Sequence, residues 1–406
     1  MNITKYIAAT ILAIVVAACT DNTESAGSNV ADGKVKLEIS ATGMGQHLVT
    51  SRSITKDPDE TEIHNLHVFF FDNTTGEYLQ PATGGESEEG KSYRYLSNGQ
   101  HTLLIDGEQF VNPNNVDIYI LANLTDKAIT IGSDGIPTAQ GTRLSNRAAL
   151  QNYIYTPYDK VNFTTRIPDT GLPMMGHMTG DFTIKGGQII EVKLKSLMVR
   201  VDFNIKLTPK DLNVDLKYPI LQINKVEMHN MPAGARIQEY NTGEETEGVA
   251  TYNSEGSANI RLTTGESSSF HFYVFEHLRK TNGNTIPESI TDEYKQRYKP
   301  TLAKDDAAYV LLVGQYIDNN GHPYEITYKL YLGANHTDDF NLTRNCKYVN
   351  NINVLGISAV NHPDNPDGEV GLDTRVTVSR EDNDYYITIL RERRHDAHFN
   401  VTPMDI

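Results

Sequence analysis

The sequence predicts an all-β chain of the sandwich class, and three observations carry that prediction. Apolar residues alternate with polar ones over short runs instead of recurring at helical spacing. Turn formers are frequent, with 30 Gly and 16 Pro in 406 residues. Helical pattern is scarce: Arg143–Tyr155 accommodates one short helix, with Ser145 as its N-cap, and Pro287–Tyr298 another turn or two. Hydrophobic residues make up 38% and charged residues 22%, enough apolar material for a core and too much for a wholly disordered chain.

The elements follow in chain order. In KVKLEIS (34–40), Val35, Leu37 and Ile39 share one face of a strand. IHNLHVFFFD (63–72) and VDIYILANLTD (116–126) are nearly continuous apolar runs, as expected of strands covered on both sides. Between 189 and 207 the apolar parity changes. Ile190, Val192 and Leu194 set one face, then Val199, Val201, Phe203, Ile205 and Leu207 set the other. A one-residue shift flips a strand's inward side, so a bulge or a handover between sheets belongs near Lys195–Met198. We place a boundary there, which divides the body into 34–195 and 196–406, each the length of one domain. In HPYEITYKLYLG (322–333), Tyr324, Ile326, Tyr328 and Leu330 lie opposite Glu325, Thr327 and Lys329. YYITILRERR (385–394) is a further strand with alternating Tyr386/Thr388 and Ile387/Ile389.

The N-terminus carries a targeting signal. Lys5 precedes an apolar run from Ile7 to Ala18, too short for a comfortable membrane span and the right length for a signal-peptide core. The run ends Val16-Ala17-Ala18-Cys19, which resembles a bacterial lipobox. That resemblance implies residues 1–19 as a lipoprotein signal peptide, with Cys19 diacylated and made the first residue of the mature chain. Several acyl chains give stable anchoring, here to the outer membrane. The competing reading is a plain signal peptide with an incidental Cys. Residues 20–33 are polar and rich in small residues, a flexible tether. Their Asp21 and Glu24 look like the acidic surface-export signals of Bacteroidetes lipoproteins.

Several stretches, taken in order, resemble the fimbrillin superfamily of Bacteroidetes, the type V pilus subunits of major, minor, anchor or tip-like kind. They are a loop containing Arg52, then NLHVFFFD (65–72), VDIYILANLTD (116–126), LPMMGHMTG (172–180), VKLKSLMVRVDFNI (192–205), FHFYVFEHLR (270–279) and the run 326–357. The last is the most specific, a Leu-Gly turn followed by Phe-Asn-Leu-Thr-Arg-Asn and then alternating Tyr348, Ile352, Val354 and Ile357. The resemblance implies two tandem transthyretin-like (Greek-key) β-sandwiches, a lipoprotein precursor route and polymerisation by donor-strand exchange. Carried onto this chain, it makes Arg52 the candidate protease cleavage site and the strand with Val35, Leu37 and Ile39 the removable one. A strand from the next subunit then fills the groove, which is β-strand addition between chains. An ordinary surface Arg is the competing reading of Arg52, and a member that keeps its lipid and first strand is an anchor or a non-polymerising adhesin.

The C-terminus departs from the stalk-pilin pattern. Residues 358–384 are polar, and the charge cluster Arg391–Arg394 separates the body from HFNVTPMDI (398–406). There Phe399 and Val401 share one face and Met404 and Ile406 the other, making 385–406 the candidate donor-strand tail.

The search for chemistry is negative. No P-loop, nucleophile elbow or zincin signature occurs, and Gly43-Met44-Gly45 lacks the third Gly of a dinucleotide loop. His395, Asp396 and His398 lack further metal ligands nearby, and Asp364, Asn365, Asp367 and Glu369 lack EF-hand order, so both read as solvated turns. Cys346 reads as a small buried hydrophobe. No catalytic residue, cofactor or metal is expected. The net charge of −16 argues against nucleic acid as a partner. The 22 Tyr serve either adhesive contact or strand propensity, and we favour the latter. The function that the fimbrillin resemblance implies is a structural or adhesive subunit of the cell surface, whose partners are other pilin subunits and a host or bacterial surface ligand. The alternative is a surface glycan-binding lipoprotein of a nutrient-uptake system, weakened by the absence of any Trp for a sugar platform. An enzyme such as a glycosidase would need a cleft with a close carboxylate pair, which 52 acidic residues neither establish nor exclude.

Overall fold

The computed structural model describes residues 34–41, 60–80, 91–97, 100–124, 129–133, 135–157, 171–180, 182, 188–209, 219–289, 298–335, 337–354, 372–379, 383–385 and 389–392. The fold is all-β. The N-terminal part supplies β1 (Lys34–Ala41), β2 (Leu66–Asp72), β3 (Tyr93–Leu96), β4 (Thr102–Asp106) and β5 (Val116–Ala122). It continues with short β6 (Ile129–Ile131), β7 (Pro137–Ala139) and β8 (Thr142–Arg143), helix α1 (Arg147–Asn152), β9 (Ile154–Tyr155), β10 (Met174–Gly180) and β11 (Gln188–Ser196). Seven of these strands form one sheet in the order β3-β2-β5-β10-β11-β1-β4.

That sheet turns back on itself. β10 and β11 pair only through Met174–Ser196 and Met175–Lys195. Beyond that corner they face each other. A Cβ on Gly176 would lie 2.8 Å from Leu194 Cδ2, and one on Gly180 would lie 2.7 Å from Ile190 Cδ1. The β4-β1-β11 layer thus closes over the β2-β5-β10 layer, and the core between them includes the rings of Phe70, Phe110 and Phe182, with Phe70–Phe110 6.2 Å and Phe70–Phe182 5.8 Å apart. The other face of β2 and β5 is covered too. Tyr78 lies 4.7 Å from Phe71, and α1 reaches Tyr119 through Gln151 Nε2, which donates to the Tyr119 hydroxyl at 2.6 Å. Both strands are therefore buried on both sides, as their continuous apolar sequences require. The helix is capped one residue later than expected. Asn146, not Ser145, accepts from the Ala149 N–H at 2.9 Å with its side-chain oxygen.

The C-terminal part begins with β12 (Met198–Leu207) and continues with β13 (Ile220–Pro232), β14 (Ala235–Arg236), β15 (Thr251–Thr263) and β16 (Ser267–Phe275). After a short helix α2 (Lys299–Leu302) come β17 (Tyr309–Ile317), β18 (Pro323–Tyr331), β19 (Lys347–Val354), β20 (Leu372–Ser379), β21 (Asn383–Tyr385) and β22 (Ile389–Glu392). Two five-stranded sheets result, β16-β12-β19-β20-β21 and β15-β13-β17-β18-β22. They share a second core that starts at Val199, while Met198 belongs to the first. The parity change lies where the sequence places it, because Leu197 is the bend at which the chain leaves one sheet and enters the next. The helix expected within Pro287–Tyr298 is found just beyond it at Lys299–Leu302, with residues 290–297 outside the described set. In β18, Thr327 is buried although it opposes the core face; on that same side a small third cluster of Tyr331, Leu302, Ala307 and Phe340 covers the end of the strand.

Edge strand β15 is long, polar and blunted. Opposite it, β13 shows register shifts between Ile223 and Lys225 and between Met228 and Met231, so the flat stretch available for edge pairing is short.

Candidate functional site

The first strand is built into the sheet interior. β1 pairs in parallel with β11 (Val35–Gln188, Leu37–Ile190, Ile39–Val192) and antiparallel with β4 (Val35–Ile105, Leu37–Leu103). Val35 and Leu37 are fully buried and Ile39 nearly so, and all three belong to the first core. On the outer face Lys36 Nζ meets Glu38 Oε1 at 2.7 Å, an exposed pair that adds little. What holds β1 is thus two ladders of backbone hydrogen bonds and three apolar side chains. Neither ladder partner is its neighbour in sequence, since β4 begins at Thr102 and β11 at Gln188. Without β1, the inner edges of β11 and β4 would present unpaired N–H and C=O groups on either side of an apolar slot lined by Ile190, Val192 and Ile105.

Strand β12 occupies the equivalent place in the second core, between parallel β19 and antiparallel β16. It is joined directly to β11 through Leu197 and cannot leave its sheet separately. The two first strands share a topology, and only β1 sits at an end of the described body.

Among the residues singled out by sequence, Val35, Leu37 and Ile39 are therefore brought together in this slot. Cys19, Arg52, Phe399, Val401, Met404 and Ile406 lie outside the described residues, as do the His395–His398 and Asp364–Glu369 groups. Cys346 is buried in the second core, 3% exposed. Among the described residues no group of three or more His, Cys, Asp or Glu side chains is arranged to hold a metal ion, and no helix is long and apolar enough to cross a membrane.

Sequence reasoning did not find the buried polar groups. Asp117 on β5 accepts from Arg147, from Thr179 Oγ1 at 2.9 Å and faces His177 Nε2 at 3.3 Å, which ties α1 and β10 to the sheet. Glu276 and Arg344, both nearly fully buried, pair through Nε (2.8 Å) and Nη2 (2.6 Å) to Oε2. Arg344 also donates to Ile237 O (2.9 Å) and Arg236 O (2.7 Å), fixing the segment whose Ala235 and Arg236 pair with β9. Lys299 is wholly buried. Its Nζ donates to Asn335 O at 2.6 Å and lies 5.0 Å from the Phe340 ring centre, and burial pushes its ammonium down to about 7. All of these partners are far apart in sequence, and no local motif announces them.

Comparisons with known proteins agree with this architecture. Residues 31–215 match the family model of the major fimbrial subunit protein (FimA), and residues 272–352 match a domain family of unknown function (DUF4906). A search of curated proteins gives no match. Among solved structures, a candidate cell adhesion protein from Parabacteroides distasonis is 17% identical with a TM-score of 0.53, over 86% of this chain and 97% of that one. The tip fimbrial protein of Porphyromonas gingivalis with C-terminal truncation is 14% identical with a TM-score of 0.46, over 85% and 99%. The likeness to the first is one of fold. The match over residues 31–215 spans β1 and the slot that holds it, and over that part the chain is similar to the major fimbrial subunit family.

Proposed function

We propose that this protein is a cell-surface pilus subunit with an adhesive role, and that it assembles by strand exchange at the β1 slot. The observation that carries the reading is the seating of β1 between β11 and β4 with Val35, Leu37 and Ile39 buried. A strand held by pairing and apolar contact alone can be replaced by another of the same pattern without rebuilding the sheet. In this reading Cys19 carries the lipid that delivers the precursor to the outer membrane, and residues 34–195 and 196–406 are two sandwich units. Cleavage after Arg52 by an Arg-specific protease frees β1, and a strand of alternating apolar residues from a neighbouring subunit takes its place. The apolar positions Phe399, Val401, Met404 and Ile406 make the C-terminal segment the donor. A subunit that keeps β1 would instead stand at the base or tip of a fibre.

Limited digestion with an Arg-specific protease, followed by gels run without boiling, tests this. A ladder of oligomers from the wild type that is lost in Arg52→Ala is the expected result. Monomer from both would refute polymerisation at this slot. For the lipid, Cys19→Ala should move the protein into the soluble fraction, and retention in the membrane would overturn that assignment.

A further inference from the structure

The described chain resumes after β1 at Glu60, and this carboxylate is not left in solvent. Glu60 Oε1 accepts from Arg200 Nη1 at 3.0 Å and from the Tyr273 hydroxyl at 3.0 Å, and its side chain is only 13% exposed. Arg200 on β12 and Tyr273 on β16 are direct cross-strand partners, so one carboxylate bridges two strands of the second core's sheet. Arg200 Nε is in turn held by Asp202 Oδ1 at 2.7 Å, and Asp202 Oδ2 by Lys347 Nζ at 3.1 Å. Burial alone would lower the Arg200 pKa, but the hydrogen bonds and charges of Asp202 and Glu60 outweigh it and raise the pKa.

A second set of bonds fixes the same segment on its other side. Asn123, in the left-handed region at φ +58, accepts from the His64 N–H at 2.8 Å. Its Nδ2 donates to Glu62 O at 2.8 Å and Leu172 O at 2.9 Å. Asn65 Nδ2 donates to Leu124 O at 3.0 Å. Residues 60–65 are thus tied down before β2 begins its own ladders to β3 and β5.

We propose that Glu60 is a positioning residue for processing. Its bonds to Arg200 and Tyr273 form a stop that holds the chain on the second core's sheet, so that severing the connection between residues 41 and 60 releases β1 and nothing more. The purpose of the stop rests on the strand-exchange reading; its mechanics do not. In an uncut chain residues 60–65 have continuity on both sides. In a cut chain Glu60 is the first anchored residue among the described ones, and charge-assisted bonds are the kind able to resist fraying from a new terminus.

The test replaces residues 48–54 of the full chain with the recognition sequence of an unrelated site-specific protease. Hydrogen exchange is then followed in peptides covering 60–66, before and after the cut. Wild type should keep the same protection in both states. Glu60→Ala should raise exchange by roughly tenfold or more after the cut and by much less before it, with Glu60→Gln intermediate. Arg200 keeps Asp202 in these variants, and Tyr273→Phe removes a single bond without a charge change if Glu60→Ala proves poorly folded. An equal rise in cut and uncut Glu60→Ala would make Glu60 merely structural, and no rise in either would remove the clamp; both overturn the proposal. Failure of the strand-exchange reading shows separately, as absence of oligomers from the cut wild type.

Discussion

Leu37 is the side chain on which the seating of β1 should depend most. It is fully buried, and its register partners are Ile190 on β11 and Leu103 on β4. Truncation to Ala removes the part of the side chain that reaches from the sheet into the first core. A buried Leu→Ala change of this kind costs about 2–5 kcal/mol, the higher end applying where the surrounding backbone cannot collapse. Here it is held by ladders on both sides, so we expect at least about 3 kcal/mol. The neighbours Lys36 and Glu38 are the internal control. Their pair is partly exposed, with side chains 21% and 40% accessible, and Lys36→Ala should change stability by less than about 1 kcal/mol. Urea titration followed by far-ultraviolet circular dichroism suits a chain without Trp. Two cores can unfold separately, so the transition that responds to Leu37 defines the first one. If Leu37→Ala and Lys36→Ala shift that transition equally, β1 is not packed into the core and the slot does not exist.

Other outcomes follow from the buried polar groups and close backbone contacts. Glu276→Ala strands the Arg344 cation in the interior and should destabilise by about 3–5 kcal/mol in chemical denaturation, whereas Glu276→Gln should cost less. Lys299 has a folded pKa of about 7, below its unfolded value, so the unfolded chain binds the extra proton between pH 7 and the usual Lys range; stability should rise with pH across that window, and Lys299→Met should flatten the rise. His67 and His277 are lowered to about 4, chiefly by burial, so each stabilises the fold above the normal His range and that contribution is lost as pH falls from about 6.5 to 4; His67→Phe should reduce the acid sensitivity of thermal unfolding. Gly314→Ala would put a Cβ 1.9 Å from Gln222 O in the β13–β17 ladder, and should lower the melting temperature by several degrees or block folding.

Much of the fold was legible from local pattern. Strands β2 and β5 are continuous apolar runs, and both faces are covered. The parity change around Leu197 marked the passage between sheets, because the period of two leaves no other way to keep Val192 and Val199 inside. The helix cap missed by one residue because Ser145 and Asn146 are both good caps, and backbone geometry chose between them. The site was legible only in part. Alternation of Val35, Leu37 and Ile39 announces a strand, but not that it pairs with β11, over 150 residues away, in parallel. Glu60 with Arg200 and Tyr273, Glu276 with Arg344, and Lys299 with Asn335 are long-range pairs. A lone charged residue in sequence reads as a solvated one until the fold brings its partner.

In the proposed assembly β1 is a separable strand in a slot that another strand can fill. Digestion of the intact protein with an Arg-specific protease, with mass determination of the native species, tests it most directly. Loss of the segment that ends at Arg52, accompanied by oligomers that Arg52→Ala cannot form, is the expected result. Cleavage that leaves the N-terminal segment bound to a monomeric body would contradict it.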